Sequence, residues 1–63
     1  METATLVQIS AFTDWIIGVS HVQNLGYQCW VINPELDLLS DGAVYHTSLA
    51  AMTAGRTFVE RSR

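Results

Sequence analysis

The chain has no lysine, a single cysteine, a single proline and few charges of either sign. Each shortage excludes something. With Cys29 as the only thiol, no internal disulfide can form. The longest strongly apolar stretches, residues 15–19 and 29–32, fall far short of the roughly 20 residues that span a bilayer, so no membrane insertion is expected. The opening Met1-Glu2-Thr3-Ala4-Thr5 has no basic region ahead of an apolar one, so no signal peptide is expected either. A lone free cysteine suits a reducing compartment, and the expected location is cytoplasmic. The three basic residues, Arg56, Arg61 and Arg63, all lie at the C-terminal end, while Glu2, Asp14, Glu35, Asp37 and Asp41 stand uncompensated before them. With a net charge of -3, such a chain repels phosphate backbones and anionic lipid, so nucleic acid is not an expected partner.

What is present is apolar. Hydrophobic residues make up 49% of the sequence and charged residues 14%, against about 25% charged in a typical globular domain. Sixty-three residues allow one domain, 1–63. A domain of this size buries only about 60% of the surface its unfolded chain exposes. Small domains offset that shortfall with disulfides, a metal or a partner. With no disulfide and no paired ligand spacing, the remaining devices are a partner chain or an unusually well-packed core.

Residues 9–22 are rich in β-branched and aromatic side chains. At helical spacing Phe12, Trp15, Ile16, Val19 and Val22 line one face, and Gly26 would serve as a C-cap. At strand spacing Trp15, Ile17 and Val19 share one face, with Ile16, Gly18 and Ser20 on the other. The strand is favoured, because Ile16, Ile17, Val19 and Val22 are poor helix formers and Gly18 would cost about 1 kcal/mol in mid-helix. Residues 1–8 read as a ragged terminus running into this strand. Gln23-Asn24-Leu25-Gly26 then predicts a turn, since Asn and Gly tolerate positive φ. Residues 27–32 predict a second strand, ended by Asn33-Pro34. Asp41-Gly42, flanked by Leu38-Leu39 and Ala43-Val44-Tyr45, predicts a short second hairpin. Thr47 or Ser48 caps a helix over residues 48–61, with Arg61 and Arg63 suited to its C-terminal dipole. Ala51, Met52, Gly55, Phe58 and Val59 form its apolar face, and the small pair Ala51 and Gly55 marks its closest approach to the sheet. The expected fold class is α+β: a small antiparallel sheet of two long strands plus a short hairpin, with one C-terminal helix on one face.

The candidate chemistry is thin. His21, Cys29 and His46 are the only soft ligands and lack the paired close spacing of zinc sites; a buried cysteine and two surface histidines are the plainer reading, and no metal or cofactor is expected. Ser40 or Ser48 with His46 and Asp41 would make a Ser-His-Asp set, but no nucleophile elbow or glycine-rich oxyanion loop supports it. The chain is also short for a pocket of about 300 Å³ or more. Cys29 has no cation nearby in sequence to lower its pKa. Phe12, Trp15, Tyr27, Trp30, Tyr45 and Phe58 could stack bases, but no row of basic residues accompanies them, so packing is the better reading. No catalytic residue is assigned, and no enzymatic activity is expected.

The order of elements from 15 to 60 resembles the small hairpin-plus-helix domains of the HicB type. The matching stretches are Trp15-Ile16-Ile17-Gly18-Val19, Gly26-Tyr27, Val31-Ile32-Asn33-Pro34-Glu35-Leu36, Gly42, Thr47-Ser48 and Ala50-Ala51. All are folding signals, and the segment from Asp41-Gly42 to Tyr45 is longer than that pattern. The resemblance implies a protein-binding antitoxin module that oligomerises; no toxin contact and no DNA-binding function is carried over.

The most informative segment is 27–32. Tyr27, Cys29 and Val31 point one way and Trp30 and Ile32 the other, so both faces are apolar. A half-solvated antiparallel strand alternates apolar with polar instead. One helix covers one face. The other needs a cover: residues 4–12 folded back over it, a second copy, or a different protein. The expectation is a non-enzymatic protein-interaction module, a homodimer that uses Ile16, Trp30, Ile32 and Phe12 as interface residues. The alternative is a regulatory or assembly subunit of a larger complex.

Overall fold

The computed structural model describes residues 4–12 and 14–62. Along the chain come β1 (Ala4–Phe12), β2 (Trp15–Val22), β3 (Gly26–Ile32), β4 (Leu38–Leu39) and α1 (Ser48–Ser62). The strands form one antiparallel sheet in sequence order, and α1 packs on one side of it, over β2 and β3. The expected α+β class, with its helix on one sheet face, is the observed one. No helix among the described residues is long and apolar enough to cross a membrane. The expected ragged start lies partly on residues 1–3, and Arg63 was expected at the helix dipole; these positions lie outside the described residues.

Two elements differ from expectation. Residues 9–22 are not one strand: the chain reverses after Phe12, which pairs with Trp15, and β1 runs back antiparallel along β2. Fourteen residues of strand would exceed the usual length of 3–10, and pairing them with each other satisfies the backbone groups of both halves. The short second hairpin is also absent. Leu38 and Leu39 pair with Ile32 and Val31 of β3, not with residues 43–45. Tyr45 then pairs with Tyr27 at the other end of β3, through hydrogen bonds of 2.9 and 2.7 Å. Residues 38–45 are thus one edge strand interrupted by an excursion at 40–44. In the gap, Ser40 Oγ donates to the Cys29 carbonyl at 3.0 Å, supplying the hydrogen bond that a continuous ladder would have made. Gly42, at φ 75°, and the Asp41 carboxylate, which accepts from Ala43 N–H at 3.0 Å, shape the excursion.

The turn between β2 and β3 falls where Asn24 and Gly26 predict it, with φ of 68° and 128°. The helix starts as expected: Thr47 is the cap, and its Oγ1 accepts from Ala50 N–H at 3.0 Å. The core lies between α1 and the near face of the sheet. It consists of Trp15, Ile17 and Val19 from β2, Cys29 and Val31 from β3, and Ala51, Met52 and Val59 from α1. Gly55 lies at the closest approach: a Cβ built there would sit 2.6 Å from Ile17 Cγ2.

Candidate functional site: the open sheet face

The strand register defines what the far side of the sheet presents. Residues directly paired across strands share a face, so four rows run across it. The first is Ala11, Ile16, Ile32 and Leu38; the second is Ile9, Gly18 and Trp30; the third is Leu6, Ser20 and Gln28; the fourth, Ala4, Val22 and Gly26, lies at the end where Val22 is buried and Val44 and Tyr45 approach Gly26. None of these side chains is charged. Leu6, Ile9, Ile16 and Leu38 are 53%, 58%, 37% and 68% exposed, and Trp30 and Ile32 are half-buried. An apolar patch spread over all four strands, opposite a complete core, is the unusual surface of this molecule.

A bulge assembles part of it. The register between β1 and β2 shifts between Leu6 and Gln8, so Val7 is an extra residue. Unbroken alternation would put Leu6 and Ile9 on opposite faces; the extra residue puts both on the open one.

Trp30 organises the centre. Its indole lies over Gly18, where a Cβ would fall 2.1 Å from the nearest ring carbon, and its Nε1–H donates to Ser20 Oγ at 3.0 Å. Glycine at 18 is required because the ring occupies the side-chain space. The half-buried indole is held against its own sheet. Beside it, Trp30, Ile32, Leu38 and Ser40 help line an open groove of about 530 Å³. A second groove of about 420 Å³ lies on the other side of the molecule, lined by Asp41, Tyr45, Phe58 and Arg61 among others. The chain is therefore not too short for hollows of this volume, contrary to the expectation from its length.

Of the four expected interface residues, Ile16, Trp30 and Ile32 come together on the open face. Phe12 does not join them. It pairs with Trp15 on the helix side and packs against the core. Leu6, Ile9 and Leu38 complete the patch. Sequence reasoning misses Leu6 and Ile9 because residues 1–8 read as a ragged end and no residue pattern announces the bulge.

The titratable and nucleophilic candidates have other occupations. His21 stacks obliquely on Tyr27, ring centroids 4.9 Å apart. Among the described residues no three His, Cys, Asp or Glu side chains gather as a metal site would require. Cys29 is buried, and burial, followed by the charge and hydrogen bond of Asp41, pushes its thiol up to about 11. At neutral pH it is therefore a protonated thiol, not a thiolate. Asp41 accepts from Tyr45 Oη–H and Ala43 N–H, and Ser40 is bonded to the backbone of β3. These bonds hold the excursion at 40–44 against the fold.

Comparison with protein-family models, with curated proteins and with solved structures finds no match for this chain.

Proposed function

We propose that this chain is a non-enzymatic interaction module that forms a homodimer by packing its open sheet face against the same face of a second copy. One observation carries the reading: an uncharged, largely apolar face on all four strands, opposite a core that is already complete. Of the possible covers for that face, the N-terminal segment is otherwise engaged. Residues 4–12 pair with β2 as an edge strand and so widen the face. Two antiparallel sheets packed face to face, about 10 Å apart, make an ordinary sandwich core. The principal extents of 32 × 21 Å limit the face to on the order of 600 Å² per copy, near the lower end for a specific interface. The reading also places the chain in the cytoplasm, a reducing compartment, on the ground that its one thiol is free.

Sedimentation equilibrium at low micromolar concentration tests it. The parent is expected to sediment as a multiple of its monomer mass, and Ile16→Lys, which puts a charge at the centre of the first row, to lower that mass while retaining its circular dichroism. A parent that is folded and monomeric refutes the reading. A parent that is monomeric, sticky and ordered only by an added partner points instead to a subunit of a larger assembly.

A further inference from the structure

The two edges of the sheet are not alike. The β4 edge is protected in the ways natural sheets protect edges. It has two strand residues, it follows Pro34, and it breaks into the excursion at 40–44, with Glu35, Asp37 and Asp41 along its course. The β1 edge has almost none of this. It is nine residues long, Ala4–Phe12, with no charge and no proline, and its outer backbone groups face away from β2. Its one irregularity is the bulge at Val7, which leaves residues 8–12 as an unbroken run.

We propose that β1 is an assembly edge that pairs antiparallel with β1 of a second copy, joining two four-stranded sheets into one of eight strands. The occupant is a second copy because the edge is complementary to itself. A two-fold axis perpendicular to the sheet sets the strands antiparallel and leaves each face on its own side. With the axis at Ser10, the middle of that run, Ile9 of the open face meets Ala11 of the other copy, and on the helix side Ser10 meets Ser10 with Gln8 diagonally beside it. Charge favours this approach. The molecule carries -3 overall, and β1 is the long strand edge along which two such molecules meet without opposing carboxylates. The helix packs chiefly over β2 and β3 and makes only a minor contact with β1, so most of its bulk lies away from the seam. The edge contact goes beyond the face contact proposed above and does not depend on it. Where both operate, four copies form a closed two-sheet sandwich.

Charge exchange across the seam tests the pairing. Gln8→Lys with Ser10→Lys makes a cationic edge, and Gln8→Glu with Ser10→Glu an anionic one; neither pair of substitutions touches the open face. By native mass spectrometry and sedimentation, each variant alone is expected to have half the parent mass. An equimolar mixture is expected to recover the parent mass, with the two chains paired one to one. The proposal is overturned if either variant keeps the parent mass, or if the mixture fails to recover it, whether or not the separate variants are folded by circular dichroism. The face contact is read separately, through Ile16→Lys: a mass that falls with that substitution and not with the edge variants leaves the face reading standing and removes the edge.

Discussion

Replacing Gly55 by alanine sets two known effects against each other. In an exposed helix position the change stabilises by about 1 kcal/mol, because glycine is the poorer helix former. At Gly55 the new methyl would lie 2.6 Å from Ile17 Cγ2 and 3.6 Å from Cys29 Cβ, where ordinary contact is 3.4–4 Å. The helix and β2 must separate by about 1 Å, since Ile17 is fully buried and its β-branched side chain has little freedom to turn aside. Overpacking of this kind costs about 1–3 kcal/mol, so the net expectation is a loss of up to about 2 kcal/mol. At about 4–8 °C per kcal/mol for a domain of this size, the thermal midpoint should fall by several degrees. Gly55→Leu should fall further. The decisive measurement is a double-mutant cycle by urea titration with Ile17→Ala. That substitution removes the offending methyl, so in its background Gly55→Ala should become stabilising. A Gly55→Ala protein that melts higher than the parent by the full helix-propensity gain refutes the packing described here.

Two further predictions follow from the loops. Leu36 is 81% exposed and held at φ 70°, a conformation that costs most L-residues about 1–2 kcal/mol and suits asparagine better; Leu36→Asn should raise the thermal midpoint. Stability should also depend on pH through the excursion. Cys29 is raised from 9.0 to about 11, chiefly by burial, and Tyr45 from 10.0 to about 12, chiefly by its hydrogen bond to Asp41. The folded state holds these protons more tightly than the unfolded one, so their contribution is complete below about pH 9 and is lost as pH rises through those values. Burial opposes ionisation of Asp41, but the hydrogen bonds from Tyr45 and Ala43 outweigh it and its carboxyl is lowered. Its contribution is present above the ordinary carboxylate value and is lost as pH falls through the lowered one. Urea midpoints measured against pH should therefore decline on both sides of a plateau, and Tyr45→Phe should flatten both declines; a Tyr45→Phe profile parallel to the parent's refutes the account.

Much of the architecture is present in local chemistry. Asn24 and Gly26 set the β2–β3 turn, because few other residues accept positive φ there. Thr47 marks the helix start, and Ala51 and Gly55 mark the side of the helix that meets the sheet. The two-faced apolar pattern of β3, with Trp30 and Ile32 turned from the core, announces a second face through simple alternation. These features depend on residues close in sequence and can be read there. Others depend on which segments meet in space. That β1 extends the sheet and does not cover it follows from its pairing with β2 along almost its whole length. That Leu6 and Ile9 share the open face follows from one extra residue at Val7, which alternation cannot reveal. Phe12 sits on the core side because it pairs with Trp15, so a residue that looked free for an interface is part of the packing. Asp41-Gly42 carries the local signature of a hairpin turn, yet the flanking residues 38–39 and Tyr45 both pair with β3. The backbone groups of a strand already in the sheet satisfy them, and that competition is invisible in a dipeptide.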